Sequence, residues 1–290
     1  MTMRTSTEIG SAAKIIGAEK AIETYAKAGF DGWDFSLAAP FLCRHHYFTN
    51  SWIDGLYGSD YLKIARKLKQ VGLDNGIVCN QTHAPFPFYG KNIRDYILRA
   101  IECTAEVGAE ICVVHPNNQL GPEENAMLYH SLLPFAKEHG VKLAAENMYD
   151  WDSGQDHAVF AACATAEGFW DVLNAVNDDN LVACVDIGHA EMEYISGNAG
   201  AAALIRSLGK KVQSLHIHDN DKWHDSHQLP FTMAIDFVPI VKALKDIGYE
   251  GWFTMEAGSF YNNFDETNIA DGITQMYTAA RKLADLFEEA

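Results

Sequence analysis

Five times along this chain an amphipathic stretch runs into a glycine and then into a short apolar run. The stretches are "YAKAGFDGWDFSL" (25–37), "ARKLKQVGLDNGIVCN" (65–80), "TAEVGAEICVVHP" (104–116), "FAKEHGVKLAAEN" (135–147) and "ALKDIGYEGWFTMEA" (243–257). A glycine at that point supplies the left-handed residue that ends a helix, and the β-rich run after it reads as a buried strand. Each joint is therefore a helix feeding a strand. "LVACVDIGHA" (181–190) and "KVQSLHIHDND" (211–221) add two more strand runs, and 3–8 a short first one.

Strands are expected near 3–8, 31–36, 74–82, 110–115, 141–146, 181–186, 212–218 and 250–256. Helices are expected near 12–28, 59–71, 91–107, 123–139, 167–177, 199–208, 236–247 and 268–288. The last helix carries Ile269, Ile273, Met276, Tyr277, Ala280 and Leu283 on one face. Strict alternation implies parallel pairing with right-handed crossovers. Eight units over 290 residues with no linker predict an α/β chain folded as one (β/α)8 TIM barrel, a single domain over 1–290.

Composition narrows the partners. A formal charge of −17 repels a polyphosphate, so no nucleic acid is expected, and a small neutral or metal-associated substrate fits better. There is no apolar run of signal-peptide or membrane-span length, so no membrane is expected. Six cysteines without a C-x-x-C pair suit reduced thiols, which places the protein in the cytoplasm.

Barrels of this kind place function at the C-terminal ends of their strands. Here the third strand ends in "THAPF" (His83), the fourth in "VVHP" (His115) and the fifth in "AAENM" (Glu146). The sixth ends in "CVDIGH" (Asp186, His189), the seventh in "HIH" (His216, His218) and the eighth in "TMEA" (Glu256). Six successive strands thus send an imidazole or a carboxylate to one rim. A lone group of this type is more often a hydrogen-bonded structural residue, but buried carboxylates in such number need partners or a metal.

Glu146, Asp186, His218 and Glu256 make a mixed N/O donor set suited to a divalent metal ion, with manganese first and cobalt, magnesium or zinc as alternatives. The glutamates stand on the fifth and eighth strands, about opposite each other in an eight-stranded ring. One can remove a proton from a sugar and the other return one, as epimerisation or aldose–ketose interconversion requires. In "HIHDND" both imidazoles share a strand face. Alternation leaves both open: a known family pattern, in which an acid or amide shortly follows the ligating histidine, implies His218 as the ligand with His216 supporting it, and an H-x-x-D reading from His216 to Asp219 is the competitor. The connection 38–59, rich in aromatics, is expected to carry substrate contacts. Trp33, Phe86, Phe88, Tyr149, Trp151, Trp223, Phe231 and Phe260 can stack on a sugar or simply pack.

These residues resemble the xylose-isomerase-like TIM barrels, especially sugar (phosphate) isomerases/epimerases typified by ketose 3-epimerases, with endonuclease IV as a relative. The likeness runs from the second strand onward and rests on "HAP", "HP", "EN", "D-x-x-H", "H-x-H-D-N-D" and the final "ME". It implies a metal held by Glu146, Asp186, His218 and Glu256, with Glu146 and Glu256 as the acid/base pair. His189 would contact substrate, His83 and His115 would line its site, and Lys222 would stand where the family usually has an arginine. A homodimer is the assembly the resemblance suggests.

The endonuclease IV relatives bind three zinc ions, and residues of suitable type recur here as His83/His115/Glu146, Asp186/His218/Glu256 and His189/Asp225/His227. The function expected is a divalent-metal-dependent isomerase or epimerase of a sugar, keto-sugar or polyol derivative. The alternatives are a lyase or dehydratase on a keto-sugar or inositol derivative, a zinc phosphoesterase, and a barrel without turnover.

Overall fold

A computed structural model describes residues 2–37, 58–86, 93–193 and 200–290. Eight parallel strands form one ring: β1 (Thr5–Glu8), β2 (Gly32–Ser36), β3 (Val78–His83), β4 (Ile111–Val113), β5 (Lys142–Glu146), β8 (Leu181–Asp186), β9 (Val212–His216) and β10 (Phe253–Met255). β8, β9 and β10 are thus the sixth, seventh and eighth barrel strands. β10 pairs with β1, and the ring closes between β9 and β10 through a parallel bridge from Ile217 to Met255. Ile217 N–H donates to the Thr254 carbonyl at 2.9 Å and the Glu256 N–H to the Ile217 carbonyl at 2.9 Å. The (β/α)8 barrel expected from the alternation is the fold observed.

The glycine joints explain the regularity. Gly29, Gly76, Gly108, Gly140 and Gly248 all have positive φ, so each of the five quoted joints turns on a left-handed glycine. Helices pack their apolar faces on the outside of the ring. In Ile269–Glu289, Ile269, Ile273, Met276, Ala280 and Leu283 are buried, as the spacing predicts. Inside the ring the filling is partly polar: Ser6, Asn80, Gln81, Ser214 and Thr254 form a hydrogen-bonded set across four strands.

Three local features differ from expectation. The first helix is two, Gly10–Ile16 and Ala18–Ala28, because Gly17 at φ 83° breaks it. Residues 74–77 belong to a helix end and its turn, so β3 starts at Val78. An antiparallel hairpin, β6 (Tyr149–Asp152) with β7 (His157–Phe160), interrupts the fifth connection. Cys79, Cys103, Cys112, Cys163 and Cys184 are free and buried. No helix among the described residues is long and apolar enough to cross a membrane. Most of the 38–59 connection, and Phe88, lie outside the described residues.

Candidate metal and active site

Glu146, at the end of β5, is the centre of one group. Its Oε1 lies 3.0 Å from Nδ1 of His216, and its Oε2 lies 3.0 Å from Nε2 of His115 and 3.4 Å from Nε2 of His83. The two latter imidazoles meet at 2.9 Å through their Nε2 atoms. Phe86 stacks on His115 with centroids 4.3 Å apart. Glu256, just past β10, reaches the same Nδ1 of His216 at 3.3 Å. Asp186 faces His216 across the β8–β9 register, and Glu146, Asp186, His216 and Glu256 each place one donor atom within 4.8 Å of the others.

A second group adjoins it. His189, His218, Asp225 and His227 also converge within 4.8 Å. Asp225 contacts Nε2 of His227 at 3.0 Å, Nε2 of His218 at 3.3 Å and Nε2 of His189 at 3.6 Å. The His189 Nδ1–H donates to the Asn147 carbonyl at 2.9 Å, which turns Nε2 toward Asp225. Tyr149, on the hairpin, donates its hydroxyl to Asp225 at 3.1 Å. His218 and His227 stack with centroids 4.0 Å apart.

The expected quartet therefore changes in one member. His216, not His218, completes the set with Glu146, Asp186 and Glu256. β9 ends in register at His216, level with Asp186, whereas His218 lies beyond the strand end, with Nε2 3.2 Å from Asp186 Oδ1 and inside the second group. Asp219, the partner in the competing reading, accepts four backbone N–H bonds, from Asn220, Thr232, Met233 and Ile235, so it shapes the following loop rather than the site.

Two further residues lie elsewhere. Trp33 is wholly buried between sheet and helices, because the strand alternation that turns Asp34 inward turns Trp33 outward against Gly72 and Phe35. Lys222 pairs with Glu191 at 3.2 Å instead of joining either group. Among the aromatics, Phe86 and Tyr149 touch the cluster. Trp151 stacks on His224, Trp223 donates to the Asp156 carbonyl, and Phe231 lies under Lys282.

Charges inside the site are set by neighbours. Burial pushes His115 down to about 4, so it is neutral at ordinary pH. Burial opposes ionisation of Glu146, yet His216 and His115 together hold its carboxyl well below the usual range. Glu256 moves the other way, raised by burial and by Glu146. Burial resists charge on His227, but Asp225 wins and lifts it to about 10.

The donor set suits a divalent cation. Glu146 Oε2, Asp186 Oδ2, His218 Nε2 and Asp225 Oδ1 are buried without hydrogen-bond partners, a costly state that an ion would relieve. Gly188 makes room for the imidazole wall: a Cβ there would fall 1.9 Å from Cε1 of His218.

Beside the first group opens a cavity of about 610 Å³, lined among others by Glu8, Ser11, Lys14, Ser36, Phe86 and Glu256. Its size and polar walls suit a small polyhydroxyl molecule. Another cavity, of about 510 Å³, lies at the opposite mouth against Arg4, Val78, Ile111 and Trp252 and contains none of the clustered residues.

Sequence reading missed Glu8, Asp34 and Asn147. Glu8 closes β1 in "TSTEIG" as the other acids close theirs, so the same strand-end rule could have found it. Asn147 follows Glu146 directly and bonds Asp186, which only the folded ring makes evident.

The family profile described as xylose isomerase-like TIM barrel matches residues 22–287. An uncharacterized protein of Methanocaldococcus jannaschii is 27% identical over 167 residues, 54% of each chain, so this chain spans about half the length of that curated relative. Among solved structures, a D-tagatose 3-epimerase-like protein superposes with a TM-score of 0.68 at 21% identity, covering 99% of both chains. An L-ribulose 3-epimerase gives 0.69 at 18% identity, covering 99% of this chain and 95% of its own.

Proposed function

Because the chain belongs to the xylose isomerase-like TIM-barrel family, we propose that it is a divalent-metal-dependent isomerase or epimerase acting on a sugar, keto-sugar or polyol derivative. The observation that carries this reading is the placement of Glu146 and Glu256. Carboxyl groups from β5 and from just past β10 reach one imidazole nitrogen of His216, at 3.0 and 3.3 Å, beside a cavity of sugar size. The likeness to 3-epimerases supports it.

Glu146, Asp186, His216 and Glu256 would hold the cation, which would supply Lewis acidity that eases loss of the proton next to a carbonyl. Glu146, held ionised, takes that proton. Glu256, whose carboxyl is raised, delivers one to the opposite face; environments that push two carboxyls apart assign such roles. His189 holds a substrate hydroxyl, and His83, His115 and Phe86 exclude water from the reacting carbon. The test is incubation of metal-loaded protein with free ketoses in deuterium oxide. Exchange at the carbon beside the carbonyl is expected; no exchange with any ketose, keto-sugar or keto-polyol in the panel removes the reading.

A second reading rests on the His189, His218, Asp225 and His227 group, which could hold a further ion as a zinc phosphoesterase requires. The charge of −17 weighs against a phosphodiester substrate. Metal analysis separates the two: one ion per chain fits the isomerase, three zinc ions the phosphoesterase.

A further inference from the structure

The first barrel strand brings to the rim a carboxylate that the reaction as described does not use. Glu8 ends β1 and is buried, with 6% of its surface exposed, yet it lines the 610 Å³ cavity together with Glu256. Thr7 pairs with Met255, so Glu8 and Glu256, each one residue further on, leave neighbouring strands on the same side. That side is the inner one, because Ser6 and Thr254 share its phase and bond to each other inside the ring at 2.9 Å. In the eight-stranded order β1 stands opposite β5, which puts Glu8 across the mouth from Glu146.

The carboxylate is fixed by the protein alone. Its two oxygens share the Ser11 N–H, at 3.0 and 3.2 Å, and the Glu8 carbonyl accepts the Tyr25 hydroxyl at 2.9 Å. Two cavity-lining glycines keep its approach open. A Cβ at Gly10 would fall 3.1 Å from Oε2, and one at Gly258 would fall 3.4 Å from Oε1 and 2.5 Å from the Ser11 hydroxyl oxygen. Neither glycine has a positive φ, so what the missing side chains supply at these positions is room beside Glu8. A carboxylate has about four lone-pair sites, and one backbone N–H leaves acceptor capacity for a ligand.

We propose that Glu8 is a specificity-determining residue: its carboxylate accepts a hydrogen bond from the terminal hydroxyl of a polyhydroxyl substrate and so selects a chain that ends uncharged over one that ends in a phosphate. The inference deepens the isomerase reading and rests on it for placing the carbonyl end at the quartet around Glu146. With that end beside Glu256, the rest of the chain extends along the cavity toward β1 and β2, where Glu8, Ser11 and Ser36 form the wall. A hydroxyl donating to a carboxylate makes a short, charge-assisted bond, roughly twice as strong as a neutral one. A phosphate in the same place brings acceptor oxygens and negative charge against a buried carboxylate. Among the described residues the wall offers it no arginine and one lysine, the exposed Lys14. Like charges in a partly enclosed cavity repel more strongly than in bulk water.

The experiment titrates manganese-loaded wild type, Glu8→Gln and Glu8→Ala calorimetrically with the D-2-ketohexoses, their 6-deoxy forms and their 6-phosphates. Wild type should bind at least one free ketohexose about tenfold or more tighter than the 6-deoxy form or the 6-phosphate of the same sugar. In Glu8→Ala the free sugar should weaken to the level of its 6-deoxy form, whose own affinity stays unchanged. A merely structural role, through the Ser11 N–H, would weaken all three ligands alike. In Glu8→Gln the amide oxygen still accepts a hydroxyl but the charge is gone, so the preference over the 6-deoxy sugar should persist in part while the preference over the 6-phosphate shrinks.

If Glu8→Ala does not fold, Glu8→Gln decides: an undiminished preference over the phosphate overturns the proposal. So does a wild type that binds the phosphate as tightly as the free sugar, an equal loss for all three ligands in Glu8→Ala, or no binding of any ketohexose. A ketose that binds in this Glu8-dependent way without deuterium exchange defeats the isomerase reading and leaves the role of Glu8 standing. Exchange without any dependence on Glu8 defeats that role alone.

Discussion

Asn147 and Asp186 grip each other across β5 and β8. The Asn147 amide donates to the Asp186 carbonyl at 2.9 Å, and its Oδ1 accepts the Asp186 N–H at 2.8 Å. The pairing fixes the backbone of one candidate ligand through the neighbour of another. Asn147→Ala would leave two buried backbone groups unpaired, each worth about 1–3 kcal/mol. Denaturant unfolding should show a loss of about 2–6 kcal/mol for the two together, and metal affinity should fall with it.

Gly188 is packed against His218 so closely that any side chain displaces the ring. Overpacking of this kind costs about 1–3 kcal/mol. Gly188→Ala should lower the melting temperature. It should also weaken ion binding by the His189, His218, Asp225 and His227 group more than by the quartet around Glu146, as metal titration followed by anomalous scattering would reveal.

Glu146→Gln and Glu256→Gln keep the size of the side chain and remove its acid/base capacity. Each should lower turnover by about 10²–10⁴-fold, the usual weight of a positioned proton-transfer group. Circular dichroism should be unchanged. Turnover near the wild-type rate in either variant would take that glutamate out of the mechanism.

Metal uptake should depend on pH at both groups. A ligating histidine must be neutral. Burial resists charge on both rings, but Glu256 and Glu146 hold His216 well above the ordinary imidazole range and Asp225 lifts His227 to about 10, so each has a proton to lose at neutral pH. Binding at the His227 group should release protons between about pH 7 and 10 and tighten as pH rises through that window. Calorimetry in buffers of differing ionisation enthalpy would measure the release. In the metal-free protein the sign is opposite: the raised His227 stabilises the fold below its unfolded value near 6.5 and loses that contribution as pH rises through about 10.

Trp33 offers a control. It packs on Gly72 and Phe35, away from both groups, so Trp33→Phe should leave KM for substrate unchanged while costing about 1–3 kcal/mol of stability. A raised KM at unchanged stability would put it back at the substrate.

The strand-end logic reached most of the cluster because a parallel barrel delivers the last residue of every strand to one rim, and His83, His115, Glu146, Asp186 and Glu256 need only that rule. The choice between His216 and His218 was out of its reach. Both point inward on alternation, and what separates them is the length of β9, which ends at His216 in register with Asp186. Trp33 and Asp34 show the same limit from the other side. The phase of β2 decides which of two neighbours enters the barrel, and a strand whose residues are nearly all buried gives no polar–apolar alternation to read. The hairpin 149–160 escaped notice because its aromatic residues read as loop packing, and it nonetheless sends Tyr149 to Asp225.

The ring is fastened last between β9 and β10, where the bridge at Ile217 and Met255 stands in place of a longer ladder. His216 lies on one lip of that seam and Glu256 on the other. An ion gripping both would therefore act as a clasp on the cylinder's own joint, so that the charge used for chemistry and the closure of the fold become one and the same fastening.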